Sequence, residues 1–485
     1  MVFSSYEFLF LFLPLVLILY YALPRSFRTL FLTAASYLFY GWWDYRFCGL
    51  MLLSTCIDYF AGLGISRAKR APVRRAWMFA SIASNLLLLG FFKYYDLFAS
   101  TINQGFRLMM PDVIGTVTNE PLPLLHVVLP VGISFYTFQS MSYAIDLYRG
   151  IARPTRSFID FACYVSLFPQ LVAGPIVRYS ELADQLIERK HSASRALKGA
   201  TIFIVGFAKK VLIADSVAPL VDYAFGSSSI GLCSAWIGVT AYAVQIYFDF
   251  SGYSDMAVGL GLLFGFQFPK NFNSPYQAVS VTDFWRRWHI SLSSWLRDYL
   301  YIPLGGNRIS ISRTYINLVL VMLLGGLWHG ANWTFLVWGG MHGFLLAWER
   351  YFDYTTPSSS LWAKARTFII ICLAWVPFRA ESLDQAFGIW LAMIGLNGNI
   401  LLLPGVLSTA FIFNIILLII GLLLAFMFKN SWSLLGMDSD ENDFIFYGTK
   451  TGIVLINTAS IILLFLFSVG VLLVKDSSPF LYFQF

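Results

Sequence analysis

Residues 8–23 read FLFLFLPLVLILYYAL, and residues 24–28, PRSFR, follow directly. The run carries no charge and reads as a membrane-spanning segment close to the about 17–25 apolar residues such segments use. A signal peptide carries its basic region before the apolar core. Here Arg25 and Arg28 come after it, so the segment reads as a retained helix with its N-terminus outside.

Working outward, the same pattern repeats. Thr29–Trp43 is apolar and ends at a turn with Asp44 and Arg46. Phe47–Ile65 is apolar and ends in a loop carrying Arg67, Lys69, Arg70, Arg74 and Arg75. A fourth helix, Trp77–Phe92, leads back out to a polar stretch, Tyr94–Pro121, read as an external loop. The chain re-enters near Leu124 and emerges at Arg149, Arg153 and Arg156. Basic loops stay in the cytoplasm, so alternate exits fall on one side.

Composition agrees. Charged residues are 12% of 485 and hydrophobic ones 58%, where a soluble domain has roughly 25% charged residues; mean hydropathy is +0.68. The net charge of +7 sits in short loops beside apolar runs, and no basic stripe with interleaved readout residues points to nucleic acid. Cys48, Cys56, Cys163, Cys233 and Cys372 form no CxxC pair and lie in or beside apolar stretches, so they read as small hydrophobes and not as disulfides or metal ligands.

From Ser157 to Asn332 the apolar runs are short and broken by Gly, Pro and charge: FPQLVAGPIVR, FDFSGYSDM, FWRRWHISLSSWLRDYLYIPLGGNR. Irregular backbone at membrane depth is tolerated only inside protein or along a wet cavity. Plain spanning helices return at Phe335–Ala347, Thr367–Val376, Phe411–Phe428 and Gly452–Val474. The expected fold is an all-α polytopic membrane protein of about 11–13 spans, with re-entrant and interfacial helices forming a central funnel. Its expected divisions are a core over 1–350, C-terminal helices with a cytoplasmic loop over 351–451, and a last transmembrane helix with an extracytoplasmic aromatic tail over 452–485. No internal or inverted repeat is visible, which counts against a secondary transporter.

Five histidines occur: His126, His191, His289, His329 and His342. His329 stands in GGLWHGANW, where Gly325, Gly326 and Gly330 permit close approach to a ligand. An ionisable group at membrane depth is a functional candidate, and imidazole is suited to accept a proton from a hydroxyl. The competing reading is a buried histidine satisfied by a neighbour. His289 lies among Asp283, Arg286, Arg287, Arg297 and Asp298; arginine forks suit the phosphates of an acyl donor such as coenzyme A, while Trp and Arg also anchor an interfacial helix. The two histidines lack a third ligand at metal-like spacing, so no zinc is expected. Asp249 and Asp255 either orient a histidine or ligand, or pair with arginines. Gly259, Gly261 and Gly265 lack the context of a nucleotide fingerprint and read as helix packing.

Together PVGISFYTFQSMSYAIDLYRG (130–150), FPQLVAGPIVRYSEL (168–182), YFDFSGYSDMAVGLGLLFGF (247–266), FWRRWHISLSSWLRDYLYIPLGGNR (284–308) and LWHGANWTFLVWGGMHG (327–343) resemble the membrane-bound O-acyltransferase (MBOAT) family, most closely its bacterial polysaccharide branch. The resemblance covers roughly residues 1–350. It implies a ring of helices around a thin centre, with a tunnel reaching a catalytic histidine from both sides. His329, within Trp328-His329-Gly330, inherits that role; His289 matches a second functional position, with Asp249, Asp255, Trp328 and Asn332 supporting. The tail motif Phe480-x-Tyr482-x-x-Phe485 is similar to that of a small protein working beside the family's D-alanylating member, which implies Tyr482 as an acyl relay; an aromatic belt at the interface is the plainer reading.

The implied activity is O-acetyl transfer in a bacterial cytoplasmic membrane, with N-terminus and tail extracytoplasmic. The donor is acetyl-CoA or another acyl thioester, used as substrate and not as bound cofactor. A periplasmic SGNH-hydrolase-like acetyltransferase then serves a polysaccharide acceptor. Backbone N–H groups near Gly325 and Gly326 are candidates for stabilising the oxyanion. Two alternatives stay open: D-alanyl transfer to teichoic acid, and a non-catalytic glycan or acyl-donor transporter.

Overall fold

The computed structural model describes residues 1–109, 121–227, 229–352, 360–396, 408–435, 451–475 and 480–481, with the backbone alone for 434 and 451–457. Helices and connecting segments account for all of them; no strand occurs among the described residues. Among the described residues, five helices are long and apolar enough to cross a membrane: Arg46–Arg67, Ala71–Met109, Ile311–His329, Leu361–Arg379 and Thr409–Met427. Glu7–Ala22 and Thr458–Val474 are apolar but shorter.

The longest remaining helix is less apolar for a physical reason: it faces protein, not lipid. Leu232–Leu263 is buried along most of its length and packs chiefly on Ala193–Ala208 and Asp215–Gly226. A peripheral helix such as Glu7–Ala22 shows the opposite pattern. It buries Phe8, Phe12, Val16 and Tyr20 while leaving Phe10, Leu11, Leu15 and Ile18 exposed, as a lipid-facing surface requires.

Two sequence expectations need correction. The stretch after Tyr94 is not an external loop as far as Met109, because Ala71–Met109 continues as one helix; Asn103 docks it by bonding both the N–H and the C=O of Leu122. Residues 110–120 lie outside the described residues. FDFSGYSDM is not a break either, since it falls inside the unbroken helix Leu232–Leu263. Its polar side chains meet buried partners, so they need not interrupt the helix: Asp249 pairs with Lys210 at 2.7 Å and Asp255 with Lys209 at 2.8 Å. Gly252, and Gly259 just after it in the same helix, let the backbone touch that of Ala193–Ala208; a Cβ on Gly259 would lie 2.6 Å from the carbonyl of Gly199.

Short helices occur in the other broken segments, as expected: Phe158–Ser166, Phe168–Leu171, Tyr179–Ile187, Val281–Arg287 and Ile290–Leu296. Ile311–His329 and Trp333–Tyr351 form a tight hairpin over them, and a Cβ on Gly326 would collide with the carbonyl of Phe335. Gly326→Val should therefore destabilise the hairpin by about 1–3 kcal/mol, the usual cost of overpacking, read as a lower thermal midpoint in detergent; an unchanged midpoint would show that the helices can separate freely.

Candidate active site

Folding brings His289 and His329 together. Their rings lie 6.4 Å apart, centre to centre, and both are buried. His289 caps the N-terminus of Ile290–Leu296 with a positive φ of 43°, a backbone state uncommon outside glycine and found disproportionately at functional sites. His329 is the last residue of Ile311–His329. Its ring is boxed by Trp328 at 5.0 Å, Trp338 at 5.1 Å and Phe378 at 5.2 Å.

The tautomer of His289 follows from its neighbours. Asn271 Oδ1 accepts from the backbone N–H of Ser291 at 3.1 Å and from its hydroxyl at 2.9 Å, which identifies that atom as the amide oxygen. An oxygen only accepts, so His289 Nδ1, 3.2 Å away, must carry the hydrogen. The lone pair is then on Nε2, which is buried and has no hydrogen-bond partner among the described residues. Asn271 was not singled out in the sequence; its chain separation of 18 from His289 carries no local signal.

Lys93 was also missed, although a lone lysine in the aromatic run GFFKYYD is itself an intramembrane-charge signal. Its Nζ donates to the carbonyls of Trp328 at 2.5 Å and His329 at 3.0 Å, and Tyr94 Oη donates to Leu327 O at 2.7 Å. The last carbonyls of a helix have no partner within it. Lys93 and Tyr94 supply partners from a neighbouring helix and so fix where His329 sits. A third histidine, His342, accepts from Trp285 Nε1 at 3.2 Å and packs on Trp338 at 4.9 Å.

A cavity of about 80 Å³ reaches this centre. Its wall includes His329, Trp328, Lys93, Ser134, Trp43 and the segment Leu129–Gly132. Trp43 follows the end of Arg25–Gly41 away from Arg25, and Gly132 opens Ile133–Arg149 at the end away from Arg149. The cavity thus lies at the ends of these helices opposite the basic residues.

Other expected site residues lie elsewhere. Arg286 is exposed, Arg287 bonds Asp283 at 2.8 Å and Arg297 bonds Asp298 at 2.6 Å, so these three do not present a cluster of unneutralised forks. Asp249 and Asp255 pair with lysines, not arginines. Asn332 caps Trp333–Tyr351 and donates to Glu381 O at 2.9 Å. Gly325 and Gly326 lie inside a helix, where their N–H groups serve the helix and are not turned to an oxyanion; the glycines permit helix contact. Tyr482 lies outside the described residues, but the two residues before it are anchored: Phe480 stacks on Tyr253 at 4.4 Å, and Leu481 N donates to Asp249 Oδ2 at 3.0 Å. Phe250, whose ring is 4.7 Å from that of His289, also lies 6.2 Å from Phe480.

Removing the Lys93 ammonium while keeping its stem, as in Lys93→Met, should lower kcat by about 10- to 100-fold through misplacement of His329, with KM little changed. Activity equal to that of the parent protein would show that the carbonyls need no such partner.

The model of the membrane-bound O-acyltransferase family matches residues 151–376, a span holding His289 and His329. The chain is 49% identical over 398 residues to a probable alginate O-acetylase, AlgI, of Azotobacter vinelandii, covering 81% of this chain and 78% of that one. It is 39% identical to a peptidoglycan O-acetyltransferase of Helicobacter pylori, covering 82% and 80%, and 26% identical to a teichoic acid D-alanyltransferase of Bacillus subtilis, covering 52% and 69%. Relatedness at this identity and coverage, joined to a multi-pass helical fold that buries two histidines side by side, places the chain in the membrane-bound O-acyltransferase family as an O-acyltransferase.

Proposed function

We propose that the protein takes an acetyl group from a cytoplasmic thioester, acetyl-CoA or an acylated carrier, and delivers it to the extracytoplasmic side for O-acetylation of a polysaccharide. The observation that carries this reading is the pair of buried histidines, of which His329 lines a cavity at the end of the helices opposite the basic loops. The positive-inside rule makes that end extracytoplasmic, in the cytoplasmic membrane of a bacterium. The cavity's size suits a short acyl group, since about 150 Å³ is enough for benzene.

In the proposed chemistry, an acceptor hydroxyl gives its proton to His329 as its oxygen attacks the thioester carbonyl. The O–C bond forms, the C–S bond breaks, and the thiolate leaves with the proton returned by the imidazolium. His289, with its free Nε2, is the second base of the pair. Lys93 holds the helix end, and Trp328 closes the wall. The first acceptor is the hydroxyl of Tyr482, a role supported by the anchoring of Phe480 and Leu481 one aromatic ring from His289. An SGNH-hydrolase-like partner outside then moves the acetyl group to the glycan. The acetyl choice draws support from the relatives named for alginate and peptidoglycan O-acetylation.

The test is intact-mass analysis of the C-terminal peptide after incubating purified protein with labelled acetyl-CoA. Label on Tyr482 that is lost in Tyr482→Phe is expected. Thiol release without peptide label would remove the relay and leave the transfer. No thiol release from acetyl-CoA, with release from a D-alanyl carrier, would replace acetyl by D-alanyl.

A further inference from the structure

At the basic end of the first helix, a cluster of cations stands apart from the acyl-transfer centre. Tyr20 and Tyr21 close Glu7–Ala22, and Arg25 and Arg28 lie in the first turn of Arg25–Gly41. The loop between Tyr179–Ile187 and Ala193–Ala208 brings Arg189 and His191 to the same place. The Arg28 guanidinium lies over the rings of Tyr20 at 5.0 Å and Tyr21 at 5.7 Å. It donates to Leu23 O at 3.1 Å and Tyr21 O at 3.3 Å. Arg189 lies over Phe266 at 4.9 Å and donates to Tyr20 Oη at 3.1 Å and to the Thr29 hydroxyl. Tyr20 Oη is itself fixed by donating to Phe264 O at 2.8 Å.

Four partly buried or buried cations elsewhere among the described residues meet carboxylates, Arg178 with Asp298, Lys209 with Asp255, Lys210 with Asp249 and Arg287 with Asp283, whereas Lys93, Arg74 and Lys475 each stand singly on carbonyls or a hydroxyl. Arg28 and Arg189 meet only carbonyls, hydroxyls and aromatic faces. Burial, and then the charges of Arg28, Arg189, Arg25 and Arg195, hold the His191 imidazole below its ordinary pKa, so the four guanidinia act on one point. Charge that only sets topology needs sign and no fixed geometry, as at the exposed Lys69 and Arg70. Two forks clamped without a counter-ion are arranged for an anion.

We propose that Arg28 and Arg189, with Arg25 and Arg195 at the rim, bind a phosphate group. Guanidinium forks match phosphate bidentately. The phosphate belongs either to an anionic phospholipid headgroup or to a soluble phosphate-bearing molecule. The proposal needs no part of the acyl-transfer reading.

The test compares the full chain with its R28Q/R189Q variant. Native mass spectrometry after exposure to phosphatidylglycerol micelles reads lipid retention, and calorimetry with coenzyme A reads soluble phosphate binding. At least an about tenfold weaker retention of one probe is expected in the variant, the scale of one lost bidentate charged contact. Loss for phosphatidylglycerol alone assigns a headgroup, and loss for coenzyme A assigns a soluble source. Equal binding of both probes by the two proteins, or binding of neither by the parent chain, overturns the site. Should R28Q/R189Q fail to fold, R25Q/R195Q at the rim takes its place, with an about threefold or larger loss expected and no loss contradicting the proposal.

Discussion

His329→Ala is expected to lower acyl transfer by about 10²–10⁴-fold, the usual contribution of a positioned acid–base group, while the protein remains inserted and folded. The reasons are geometric. The ring lines the cavity and sits at the end of a helix whose final carbonyls are held by Lys93 and Tyr94. Deleting it leaves a void among Trp328, Trp338 and Phe378, at about 2–4 kcal/mol for a large-to-small change in a packed interior. His329→Gln fills more of that void and separates the two effects. It should recover most of the thermal midpoint and none of the activity. Turnover in His329→Gln within a few-fold of the parent would remove the base role.

The second large effect is expected at His289. Asparagine tolerates the left-handed backbone that this position adopts, so His289→Asn should cost little in backbone terms while removing the Nε2 lone pair. Activity should fall by at least about 10²-fold. Asn271 provides the control. Asn271→Leu leaves His289 in place but takes away the acceptor that fixes its tautomer and strands the N–H of Ser291. A group that orients a functional imidazole is worth about 10- to 100-fold, so the loss should be smaller than for His289→Asn. Equal thermal loss with no loss of turnover in either variant would make His289 a structural histidine.

Much of the fold was legible in the sequence because hydropathy and topogenic charge are local. The runs Phe47–Ile65 and Phe411–Phe428 need no knowledge of partners; the structure places the first within Arg46–Arg67 and all but the last residue of the second within Thr409–Met427. Errors arose where burial is tertiary. FDFSGYSDM looked broken because Asp249 and Asp255 are charged, and their lysine partners lie 39 and 46 positions away. The burial of His329 was visible in its apolar flanks. Its supports were not: Lys93 is 236 positions from it in the chain, and the pairing of two helix ends leaves no periodic trace. The glycines near His329 were noticed for the right property, close approach, and assigned the wrong neighbour. They admit another helix, as the Phe335 carbonyl against Gly326 makes plain.

Sided transfer tests the central claim most directly. Protein would be reconstituted in liposomes with acetyl-CoA on the face carrying Arg67–Arg75, and acetylation of a soluble hydroxyl acceptor measured on the other face. The expected result is acetyl-ester formation across the membrane that disappears in His329→Gln and is absent when donor is supplied from the opposite face. Ester formation that persists without His329, or flux of intact donor with no ester formed, would contradict the account.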